Sequence, residues 1–193
     1  MENKLFSKFS FYDQLGYILV GSIALIIISF DAWLVWHWIP KIDGIDLIIL
    51  FIVAYFLGHL IQSLANLIIK EKRNNFSKWE LRILNIAREK LSLKEESDNE
   101  VYRLCYMMSL SKDFTGQVEI FNANYSLYRG WFIVFVVQSI FLTYRLISSF
   151  HFDIMIVLLI SLAVAILFYL RSKRFYKYCR EKTLQTFLII NKL

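Results

Sequence analysis

The sequence predicts an all-α integral membrane protein, with two to four transmembrane helices and cytoplasmic helices that extend the bundle. Three observations point there. Of the 193 residues 58% are hydrophobic, above what the core of a soluble domain requires. The excess lies in long runs, as a lipid solvent demands. One proline and six glycines leave little turn punctuation, which disfavours a barrel.

The first run, Leu15 to Trp38, exceeds the roughly 20 residues needed to span a bilayer. It is too long for a signal peptide, and no small-x-small cleavage site follows it. Trp33, Trp36 and Trp38 gather at its far end, as interfacial tryptophans do. Pro40 and Gly44 then break the chain. The second run, Ile45 to Ile69, covers roughly 37 Å as a helix, enough to cross a core of about 30 Å with some tilt. Residues 1–69 thus form an N-terminal arm and a transmembrane hairpin.

Residues 70–130 form a cytoplasmic helical segment. Ser77 and Glu80 have the spacing of a capping box, and Phe76 is placed to staple onto Leu81. The helix they open runs to about Leu93, with Trp79, Ile83, Ile86, Ala87 and Lys90 as an imperfect apolar face. Ser97 and Glu100 repeat the box and open a second helix through Met108. A third starts near Thr115 and runs without a breaker into the next apolar stretch. Residues 131–170 read as a second hydrophobic hairpin. Its flanks fit spanning, but Gln138, Thr143 and Arg145 weaken its first arm, so a buried cytoplasmic hairpin stays open as an alternative. Residues 171–193 continue as a cytoplasmic C-terminal helix.

Charge gives an orientation. Of 22 lysines and arginines, all but Lys41 and Arg145 fall in the N-terminal arm, the middle segment or the tail. The positive-inside rule then places both termini and the middle segment in the cytoplasm. The net charge of +6 reads as a topology determinant and a headgroup contact; no nucleic-acid-binding motif accompanies it, so direct binding of nucleic acid is not expected. Cys105 and Cys179 lie far apart with no metal-ligand spacing and read as small buried residues. No cofactor or metal is expected.

Two polar constellations stand out. His59, Gln62, Ser63 and Asn66 fall at i, i+3, i+4 and i+7 on one face of the second span. Polar groups in hydrocarbon are costly, so this face either bonds a neighbouring helix or, repeated around a ring, lines a water-filled pore or gate. Glu119, Asn122, Ser126 and Arg129, with Tyr125 nearby, lie just before the third run. They read as an interfacial belt with Arg129 snorkelling to headgroups, or as a subunit contact at the membrane rim.

Catalytic signals are weak. No phosphate loop, HExxH or GxSxG motif occurs. Arg145 and His151 satisfy the loose Arg-x(4–6)-His spacing of HEPN ribonucleases, in which such a pair stabilises charge and moves protons. Leu146 stands where a polar residue is usual, and the pair falls at the non-cytoplasmic turn, so no catalytic residue is assigned.

The segments YDQLGYILVG (12–21), YFLGHLIQSLANL (55–67), VEIFNANYSLYRG (118–130) and RFYKYCREKTLQTF (174–187) resemble the accessory membrane proteins encoded beside the RNA-guided RNA-cleaving effector of CRISPR type VI-B systems. The resemblance implies a ring-shaped homo-oligomer that forms a pore in the bacterial inner membrane. Such a pore depolarises the membrane after phage RNA is recognised. A divergent HEPN assignment accompanies the family. The alternatives are a membrane-tethered scaffold that recruits a partner and a HEPN-like ribonuclease accessory.

Overall fold

The computed structural model describes residues 11–37, 44–69, 76–93, 95–113 and 115–192, with the side chains of 11–15 excepted. The expected turn through Pro40, the cluster Lys70 to Arg73 and the N-terminal arm before residue 11 lie outside the described residues. Among the described residues six helices follow one another: α1 (Phe11–Trp36), α2 (Gly44–Ile68), α3 (Lys78–Lys90), α4 (Asp98–Lys112), α5 (Gln117–Ser148) and α6 (Phe152–Ile190). Among the described residues there is no strand. Four helices, α1, α2, α5 and α6, are long and apolar enough to cross a membrane. Hydrocarbon offers backbone groups no partner, so helices that satisfy their own N–H and C=O groups are what such sequences can form.

The chain divides into two compact units. The first comprises residues 1–69 and 123–173, and the second residues 70–122 and 174–193, so α5 and α6 each contribute to both. In the first unit, α1 and α2 run antiparallel with their backbones nearly touching. A Cβ at Gly21 would fall on the carbonyl of Ala54, and one at Gly58 on the carbonyl of Tyr17. Helices in lipid lack a hydrophobic drive to associate and rely on such close approach of small residues. Val20, Ala24, Ile61, Ala65, Ile133 and Val134 fill the core where α5 joins the pair. The apolar stretches of α5 and α6 are 33% and 17% buried, comparable with 22% and 17% for α1 and α2.

The second unit is held by α3, α4 and the ends of α5 and α6. Both capping boxes form: Ser77 with Glu80 and Ser97 with Glu100 each exchange side-chain and backbone bonds. The buried face of α3 is Glu80, Ile83, Leu84 and Ala87: Ile83 and Ala87 are buried as expected, whereas Trp79 is exposed and Glu80 and Leu84 turn inward in its place. The helix turns that far because Glu80 serves twice. Its Oε2 caps Ser77 N–H at 2.6 Å and takes the Arg180 guanidinium at 2.8 Å, with both side chains buried. Phe76 packs on the same core, facing Tyr102 and the Arg180 guanidinium, while Leu81 stays at the surface. α3 ends in a Schellman turn, with Ser92 taking the left-handed conformation at φ 57° and Leu93 N–H returning to the Arg88 carbonyl.

Cys105 and Cys179 are free and buried, and burial pushes the Cys105 thiol up to about 12, which suits a packed apolar residue and not a nucleophile. At the start of α5, Asp113 accepts from the Thr115 side chain and N–H and from the Val118 N–H. Partial burial alone would raise the Asp113 carboxyl, but these bonds win and hold it below its usual range.

Two consequences are measurable. Gly58→Leu drives a side chain into the Tyr17 backbone and should lower the thermal midpoint in detergent by several degrees, a loss of about 2 kcal/mol or more. An unchanged midpoint would mean that α1 and α2 do not cross at this glycine. The lowered Asp113 pKa means its stabilisation is present above the unfolded carboxylate pKa and is lost as pH falls through the folded one. Hydrogen exchange at the Val118 amide should quicken about tenfold in Asp113→Ala at pH 6, for loss of about one capping bond. The two proteins should converge in acid, and equal exchange at pH 6 would remove the cap.

Candidate functional site

The expected polar stripe of α2 is divided by the α1 contact. The face turned inward is Ala54, Gly58, Ile61, Gln62 and Ala65, at i, i+4, i+7, i+8 and i+11. Gln62 is on that face, and its Nε2 donates to the Ser126 carbonyl of α5 at 2.8 Å. Gly130, one turn further along α5, makes room for that amide and for Val20. His59 is at the edge of the contact: its ring stacks on Tyr17 at 3.8 Å and meets Tyr55 edge-on at 4.6 Å. Ser63 and Asn66 are exposed. Ser63 returns its hydroxyl proton to the His59 carbonyl at 2.9 Å, and so loses little in an apolar setting. His59, Ser63 and Asn66 therefore form one outward edge of α2, and Gln62 belongs to the interior.

The rim constellation also divides. Arg129 and Tyr125 come together in the first unit: both are buried, Arg129 Nη1 donates to the Tyr125 hydroxyl at 3.2 Å, and the guanidinium is 4.8 Å from that ring's centre. Arg129 is thus held inside its own chain instead of reaching out to headgroups. Glu119 and Asn122, half-buried, belong to the second unit. Arg145 is in the last turn of α5 with its Nε enclosed and unbonded, and His151 is exposed in the turn before α6. No hydrogen bond joins them.

A further group is not singled out by sequence reasoning. Asp31 of α1 is 7% exposed, inside a membrane-length helix, and its Oδ1 accepts from Gln138 Nε2 of α5 at 2.9 Å. A carboxylate can only accept, so the amide turns its nitrogen to Asp31 and its oxygen away. That oxygen is 3.0 Å from the Ser161 hydroxyl of α6, which is also 3.0 Å from Ser139 and 3.1 Å from the Phe135 carbonyl. Ser161 has one proton and serves one acceptor at a time. The network ties three membrane-length helices together through buried groups. The available sequence signals are an acid in an apolar run and the Gln138–Ser139 pair, 107 residues after Asp31. Intramembrane acids are rare enough to mark function by default. Among the described residues, no three His, Cys, Asp or Glu side chains gather as a metal site would need.

The fold defines the chain as an α-helical membrane-embedded protein. Comparison with known protein families, curated proteins and solved structures finds no match.

The network's coupling is measurable. Gln138→Leu leaves the Asp31 carboxylate without its donor and should cost about 2–3 kcal/mol in thermal unfolding. Adding Asp31→Leu should recover most of that loss. Strictly additive losses would mean the two side chains do not act as a pair.

Proposed function

We propose that the protein is a non-enzymatic, pore-forming effector of CRISPR-linked antiviral defence. In this reading it assembles as a ring-shaped homo-oligomer in the bacterial inner membrane, with both termini cytoplasmic. It depolarises that membrane after an RNA-guided effector recognises viral RNA. The observation that carries the reading is the outward edge of α2, where Ser63 and Asn66 are exposed on a helix of membrane length. Exposed polar groups in hydrocarbon favour a neighbouring copy or water beside them. A ring places such edges around a common axis, where they border an aqueous opening. The resemblance in sequence and the bias of lysine and arginine toward the arm, middle segment and tail support the same assignment.

The test is made in infected cells. Phage targeting should collapse the membrane potential when the wild-type protein is present. Ser63→Leu with Asn66→Leu should abolish that collapse while membrane insertion is retained, because neither side chain is buried in the fold. Full membrane potential with the wild-type protein, or unchanged depolarisation with the double variant, would refute the reading.

A further inference from the structure

A cleft of about 510 Å³ opens among α1, α2 and α5 within the first unit, and the pore reading makes no use of it. Its walls are mostly hydrocarbon, including Ala24, Leu57 and Ile133, and its carboxyl and amide groups are those of Asp31 and Gln138. Leu60 and Val137 at its margin are exposed, so the cleft is reachable from the bilayer. Its volume falls within the roughly 300–1,000 Å³ of small-molecule sites.

The polar end has one vacancy. Asp31 Oδ1 is taken by Gln138, and the Gln138 oxygen shares the Ser161 hydroxyl with Ser139 and the Phe135 carbonyl. No second hydrogen bond reaches the Asp31 carboxylate among the described residues, and Asp31 lines the cleft. Trp36 and Phe141 line the same cleft, with ring centres 6.4 Å apart. A carboxylate with an oxygen left without a donor, in a cleft that two aromatic rings also line, favours a cation that can also donate a hydrogen bond. A second copy is a poor source of that cation: the only lysine or arginine in the four apolar runs is Arg145, whose Nε is enclosed in its own chain. A metal ion would need several oxygen ligands where one carboxylate is present.

We propose that this cleft binds a bilayer-borne, single-chain amphiphile with a primary ammonium head. The head donates N–H to Asp31 Oδ2 against the aromatic rings, and the chain lies along the apolar wall. A chain leaving lipid for this wall gains little, since both are equally apolar, so the head group sets the selectivity. This inference needs the membrane-embedded fold but not the pore.

The probes are dodecylamine, dodecyltrimethylammonium and dodecanol. Each is added to the full-length protein in phosphatidylcholine nanodiscs, and retention is read by native mass spectrometry against protein-free discs. Dodecylamine should be retained at least tenfold over dodecanol and several-fold over the trimethyl compound, which has charge but no N–H. Asp31→Asn should reduce the amine to the level of the alcohol, and Val137→Trp should displace all three. Equal retention of amine and alcohol by the wild-type protein overturns the proposal, as does equal retention of the two cations. So does an Asp31→Asn protein that unfolds cooperatively and still retains the amine. If that variant fails to fold, the wild-type comparison alone decides.

Discussion

The close approach of α1 and α2 at Gly21 and Gly58 organises the whole membrane unit. Two helices whose backbones touch can bring only one face of each into contact, and the rest of each surface must meet lipid, a third helix or another molecule. On α2 that constraint turns Gln62 inward, toward the Ser126 carbonyl, and leaves Ser63 and Asn66 outside. On α1 it leaves Asp31 free to engage Gln138. The inner polar groups are bonded across helices, which lets them persist in an apolar medium. Among the described residues Ser63 and Asn66 make no side-chain bond to another helix, and that difference is the basis for the proposed ring.

The helices themselves were legible in the sequence. Run lengths fix the four membrane-length elements, and the boxes at Ser77 and Ser97 start α3 and α4 where local chemistry requires. Both features are local, so neighbouring residues suffice to read them. The continuous course of α5 and α6 through apolar and polar sequence follows from the lack of a proline or glycine cluster to stop them. Ile83 and Ala87 of the buried face of α3 were legible, but Glu80 at its N-terminal end was not, because it is charged. Glu80 is buried only because Arg180, 100 residues later, lies opposite it.

The same distinction governs the polar sites. Spacings of i, i+3, i+4 and i+7 put four side chains on one stripe, but a contact line can run through a stripe of that width. Which side of the line each residue falls on depends on the crossing helix, so His59 and Gln62 separate in a way no spacing rule records. Arg129 is similar: from sequence it has the form of a snorkelling residue, and the fold places Tyr125 against it instead. Asp31 was hardest to see. A single acid in an apolar run acquires meaning only through its amide partner on another helix and the hydroxyl behind that amide.

In the proposed ring, copies of this chain enclose an aqueous path across the bilayer. Planar-bilayer recording with the purified full-length protein tests it without any other component. Discrete, stepwise conductance in a pure lipid membrane is the predicted result. Electrical silence from protein shown to be folded and inserted, across the full range of applied voltage, would contradict it.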